Sequence, residues 1–209
     1  MTIERQNAAR KRHYLDPRRI LTVPGAHRQA VREIAARAPR RLSDHQLRQL
    51  AIEVLQAAAF SWGIGELWTR SVLFSPQEED GHDCILAGGR SAGGHRPCFV
   101  PLQLKTYTPF SGSLQELIDG LEGKYHDSEE LYVAINVNKP GVIHFPDLTV
   151  PPGLRSQIHA LWVFGRTSDD RTKWCFYGDL VGKAQSAPGE LLAEPRSSIH
   201  VIPDIISLG

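Results

Sequence analysis

Three side chains in the middle of the chain, Asp83, Gln103 and Lys105, are of types that do chemistry together. A carboxylate and a carboxamide offer hard oxygen donors that suit a divalent cation, and an ammonium beside them can face an anion. Phe99-Val100-Pro101-Leu102-Gln103-Leu104-Lys105-Thr106 has the composition of a strand. Alternation then sends Gln103 and Lys105 to one face and Val100, Leu102 and Leu104 to the other, into a core. Asp83 opens the preceding apolar run, Cys84-Ile85-Leu86, and the connection from Ala87 to Pro97 holds four of the eighteen glycines. Such a connection suits a hairpin that lays one strand beside the other, which would let the three groups converge.

The constellation of Asp83 with Gln103-Leu104-Lys105 resembles the PD-(D/E)XK, or restriction-endonuclease-like, superfamily. Within it the similarity is to the Mrr-like branch, whose second motif reads Gln-x-Lys in place of Glu-x-Lys, and it extends over roughly Ser43 to Asn138. The resemblance implies metal-dependent hydrolysis of phosphodiester bonds in nucleic acid, DNA above RNA, in a restriction or defence role. Magnesium, or manganese, would be the cofactor. It implies Asp83 as the indispensable oxygen ligand, Gln103 offering its side-chain carbonyl and Leu104 its backbone carbonyl. Lys105 would orient and help deprotonate the attacking water or neutralise the pentacovalent phosphate. In that family the helix before the aspartate strand often carries an acid that completes the metal site. Glu53 is the natural match, and Glu66 in Gly63-Ile64-Gly65-Glu66 competes with it. Glutamine in place of glutamate removes one negative charge, so metal affinity should be lower unless one of these acids compensates. The bland alternative makes Gln103 and Lys105 ordinary polar residues of a half-exposed strand and Asp83 a turn residue. The functional alternative is a nuclease-like module that has lost catalysis and binds nucleic acid or a partner.

The elements that must position these residues are readable in outline. Ser43 with Gln46 forms a capping-box pattern flanked by Leu42 and Leu47 as a staple, opening a helix expected to reach about Phe60. Leu47, Leu50, Ala51, Val54, Leu55 and Ala58 keep helical spacing as its inward stripe, which leaves Glu53 on the flank. Before it, Met1 to Arg19 reads as a mobile arm and Ala26 to Ala38 as a short amphipathic helix stopped by Pro39. After it, Trp68 to Phe74 reads as a strand, Ser113 with Glu116 opens a helix to about Tyr125, and strands follow at Leu131 to Val137 and Val142 to Phe145. Leu161 to Phe164 and Lys173 to Tyr177 complete the set, with Ile199 to Leu208 as a final strand or docking tail. The expected fold is α/β: a mixed central sheet of five to seven strands flanked by helices over residues 42–209, with a basic helical N-terminal extension over 1–41.

Charge is unevenly spread. Residues 1–50 hold twelve Lys/Arg against four Asp/Glu, or +8, and the remainder holds twelve against nineteen, or −7, giving the net +1. A basic end on an acidic body suits a polyanion, so Arg10, Lys11, Arg12, Arg28 and Arg32 are candidate contacts to the phosphates of double-stranded DNA. A solvated charged face is the plain reading of the same residues. A homodimer is open to such a chain. Three cysteines without a Cys-x-x-Cys argue against a disulfide framework. His82, Cys84, His95 and Cys98 match no familiar zinc spacing, though a zinc-stabilised interaction domain would use them. No signal peptide or membrane-spanning run is apparent, which makes a cytoplasmic location the expectation. A phosphate-binding Gly-x-x-x-x-Gly-Lys loop and a His-x-x-x-His helix are both missing, which argues against P-loop and zincin chemistry.

Overall fold

The computed structural model describes residues 3–76, 82–88, 98–125, 130–138, 147–166, 173–182 and 198–203. The chain is α/β, with helices leading into mixed sheet, and it divides into two compact units after Leu104.

The first unit opens with α1 (Ile3–Arg10), α2 (Pro17–Thr22), α3 (Ala26–Arg37) and the long α4 (Asp44–Leu67). It continues into β1 (Val72–Ser75), β2 (Cys84–Gly88) and β3 (Cys98–Tyr107), whose last three residues belong to the second unit. The three strands run antiparallel in chain order, with Phe74 opposite Leu86, Cys84 opposite Leu102 and Pro101 opposite Ile85. The expected pairing of the Asp83 and Gln103 strands is therefore present. Residues 89–97 of the connection, with His95, lie outside the described residues, as do Glu78, Glu79 and Asp80.

The mobile-arm expectation for Met1 to Arg19 is corrected. Two helices occupy most of it, and Asp16 caps the second by accepting from the Arg18 amide, with Pro17 preset in the first turn. Between them Leu15 bridges Phe74, its N–H donating at 2.8 Å and its carbonyl accepting at 3.2 Å. Burial of Ala9 and Ile20 holds the segment down. These isolated apolar residues form no periodic pattern, so only the tertiary fold shows that the segment is core.

Helix α4 has both halves of the capping box: Ser43 Oγ accepts from the Gln46 amide at 3.3 Å, and Gln46 Oε1 accepts from the Ser43 amide at 2.9 Å. It continues past the expected end at Phe60 to Leu67 because every residue from Gln56 to Gly65 is buried, so packing outweighs the roughly 1 kcal/mol helix penalty of each glycine. Gly65 has a further reason to be glycine. A Cβ there would sit 2.8 Å from the Arg70 carbonyl oxygen, in the path of the returning chain. Thr69 turns the chain with φ 50°, and the first strand starts at Val72, later than Trp68. By length and composition α4 could cross a bilayer, but much of it is buried, in contact with α2, α3 and β1. The inward stripe is corrected too. Val54 and Ala58 are fully buried, Leu47, Leu50 and Ala51 are half-buried, and Leu55 is 41% exposed.

In the second unit α5 (Leu114–Asp119) has a complete Ser113/Glu116 capping box and is shorter than expected, giving way to turns at Gly120. Then come β4 (Tyr132–Val137), α6 (Pro152–Gln157), β5 (Ala160–Arg166), β6 (Lys173–Gly178) and β7 (Ser198–Pro203). Strands β4 and β5 are parallel, which needs a crossover, and α6 lies on it. Strands β5, β6 and β7 pair antiparallel. The expected Val142 to Phe145 strand, and the end of the apolar tail after Pro203, fall outside the described residues. The core joins Ile118 and Leu121 after α5's start to Val133 and Ile135 on β4 and to Leu154 and Leu161 beyond, all fully buried.

Candidate functional site

Asp83 lies at a bend immediately before β2, half-buried, with its own N–H donating to the Leu102 carbonyl at 3.0 Å. That bond orients the side chain along the flank of β3. There Asp83 Oδ2 accepts from Gln103 Nε2 at 2.5 Å and from the Leu104 amide at 2.6 Å. The two halves of the sequence motif thus meet directly. Gln103 is only 7% exposed, and a buried amide left without a partner costs about 1–3 kcal/mol, so the bond to Asp83 offsets a real penalty. In a strand the N–H and C=O of one residue point to the same neighbour, so the Leu104 carbonyl is directed toward the flank where its N–H meets Asp83. Lys105 follows on the strand, half-buried, on the face that carries Gln103.

The two candidate acids differ in what surrounds them. Glu53, half-buried on α4, accepts from Gln49 Nε2 at 2.8 Å. Its field reaches Cys84, whose thiol is held well above its ordinary pKa by burial first and then by the negative charges of Asp83 and Glu53, with Arg12 opposing them. Asp83, Glu53 and Arg12 therefore all act electrostatically on one buried thiol. Glu66 instead accepts from Trp62 Nε1 at 3.0 Å, one turn along its own helix.

Arg12 was expected among flexible phosphate contacts, yet it is half-buried beside this cluster. Tyr14 shares the neighbourhood. Its hydroxyl donates to the Ala9 carbonyl at 2.9 Å, its ring lies 6.0 Å from that of Phe99, and its pKa is pushed up to about 12 by burial, with Arg12 lowering and Cys84 raising it. The sequence marked Arg12 only as a phosphate contact and did not mark Tyr14, because an isolated bridge from Leu15 to β1 leaves no periodicity. Arg10 and Lys11 are exposed at the end of α1, and Arg28 and Arg32 are exposed on α3.

The donor set can be tested against a cation. Two carboxylates, one carboxamide oxygen and one backbone carbonyl are hard oxygen ligands of the sort magnesium or manganese takes. Gln103 directs its N–H toward Asp83 as it stands, so ligation by both would require the amide to turn about its last, soft torsion. No cluster of three His, Cys, Asp or Glu side chains suited to a metal occurs among the described residues. A cation here would lean on neutral oxygens and be held weakly. The zinc alternative finds no support in its described members, since Cys84 is buried and Cys98 exposed. No known protein family, curated protein or solved structure matches the chain.

Proposed function

We propose that the chain is a metal-dependent nuclease of the PD-(D/E)XK type that hydrolyses phosphodiester bonds of nucleic acid, with double-stranded DNA the favoured substrate and restriction or defence the role. The observation that carries this reading is the meeting of Asp83 with Gln103 and the Leu104 amide, across twenty residues of sequence. Asp83, Glu53, Gln103 and the Leu104 carbonyl would hold magnesium or manganese, which supplies an acidified water and positive charge for the phosphoryl oxygens. Lys105, on the Gln103 face of β3, orients the attacking water and balances charge that builds on the phosphate. Arg12, whose charge opposes those of the two acids at Cys84, adds a second positive charge to the field of the site. Exposed Arg10 and Lys11 hold the phosphate backbone, and replacing both with alanine should flatten the log-log salt dependence of duplex binding by up to about 0.9 per lost contact. Removing residues 1–41 outright is a poorer test, since Ile20, Ala26 and Ala30 belong to the core.

One observation favours a second reading, a nuclease-like binding module without catalysis: the Gln103 amide already satisfies Asp83, leaving a polar pair that is stable by itself. Nicking of supercoiled plasmid in magnesium, with affinity measured in calcium, separates the two. Metal-dependent nicking supports the enzyme, and tight binding with no cleavage in magnesium or manganese moves the assignment to the module.

A further inference from the structure

The first half of α4 is covered on one side only. Between it and α3 lies an open groove of about 510 Å³. Its floor is apolar, from Val31 and Ala35 on α3 and from Leu47 and Ala51 on α4. His27 pins the two helices by donating from Nε2 to the Ala51 carbonyl at 2.9 Å. Leu55, 41% exposed, lies one turn beyond Ala51 on the same side of α4, and Ile52, 48% exposed, lies beside that side. From Leu47 to Leu55 the track is about 12 Å long at 1.5 Å per residue, which matches three anchor side chains of a docked helix at i, i+4 and i+7.

The rim is positive. Arg28, Arg32 and Arg41 all line the groove, and none forms an ion pair with a described residue. Arg28 and Arg32 are four apart on α3, so they stand as neighbours along one edge. We infer that the α3–α4 groove docks an amphipathic helix of a partner protein, with apolar side chains on Val31, Ala35, Leu47 and Ala51 and carboxylates four residues apart meeting Arg28 and Arg32. A duplex would use the arginines and leave the apolar floor unfilled. A two-fold pairing of copies would set like charges against one another across the interface. Only a partner both apolar and acidic satisfies floor and rim together.

The experiment uses the full chain and a displayed library of 18-residue helical peptides. Leucine is fixed at i, i+4 and i+7, and the flanking positions vary among Glu, Lys, Gln and Ala. The expected result is enrichment of Glu at flanking positions four apart, with the selected peptide binding at least tenfold more weakly to Arg28→Glu/Arg32→Glu and to Ala36→Glu, both at exposed positions. Circular dichroism of both variants should match wild type, which separates a lost contact from a lost fold. No enrichment of acidic peptides, or equal binding to the charge-reversed variant, overturns the inference. If the library yields nothing while the reversal abolishes binding of a 16-base-pair duplex, the rim is a phosphate surface. If the reversal abolishes a concentration-dependent dimer, the occupant is a second copy. Either result also overturns it.

Discussion

Two aspartates, one in each unit, each accept hydrogen bonds from two donors at one oxygen, in different surroundings. In the second unit Asp179 Oδ1 accepts from the backbone amides of Leu161 at 3.0 Å and Val181 at 2.9 Å. These bonds stitch the segment after β6 to the start of β5, beside an apolar core. In the first unit Asp83 Oδ2 also takes two donors, but one is the side chain of buried Gln103, and Glu53 and Arg12 bear on the same buried thiol as Asp83 does. A carboxylate that accepts two hydrogen bonds is thus no sign of chemistry by itself. Further ionisable groups brought to the same place from distant segments separate a candidate site from a structural clasp.

The widest separation is expected between substitutions of the two aspartates. Asp83→Asn keeps an acceptor for the Leu104 amide and removes the anionic oxygen, so plasmid nicking in magnesium should fall about a thousandfold while duplex affinity in calcium and the unfolding midpoint stay near wild type. Asp179→Ala should do the reverse. Losing two charge-assisted bonds costs about 2 kcal/mol, or roughly 4–8 °C in midpoint for a chain of this size, with nicking per folded molecule unchanged. If Asp83→Asn nicks as wild type does, the distinction between the two aspartates disappears.

A smaller effect compares the acids of α4. Glu53→Gln should raise the magnesium needed for half-maximal nicking severalfold, and Glu66→Gln should leave it near wild type, because Glu66 is occupied by Trp62. The opposite ranking, read from magnesium titrations of both variants, would transfer the third ligand to Glu66.

The smallest effect is in alkaline stability. Burial raises the pKa of Cys84 and of Tyr14, so the folded chain keeps protons that the unfolded chain releases. The contribution of Tyr14 is complete below the ordinary phenol value of 10.0 and is lost as pH rises to about 12, and that of Cys84 is complete below 9.0 and declines as pH rises above it. Thermal melts across pH 8 to 12 should show this fall, with Tyr14→Phe removing its upper part and Cys84→Ala its lower part. A Tyr14→Phe melt profile that parallels wild type through that range would place Tyr14 in solvent, away from the cluster.

The residues that meet at the site were legible because their signals are local. Capping boxes at Ser43 and Ser113 are satisfied within four residues, alternation sorts Gln103 from Leu102 and Leu104, and a glycine-rich connection implies that β2 and β3 pair. The α/β class follows from the same periodicities. What lay beyond reach depends on how much of each surface a distant segment covers. Gly63 and Gly65 read as a helix end and are instead helical, since complete burial of the helix around them outweighs propensity. Leu55 sits on the apolar side of its helix and is exposed, because α3 covers only part of that side. Arg12 reads as an arm charge, yet it is half-buried and its charge acts on Cys84, in a segment that Leu15 ties to Phe74, about sixty residues away. Periodicity reports which side of an element is apolar; it carries no information about which segment comes to cover that side, and in this chain that decides both the groove on α4 and the charges around Asp83.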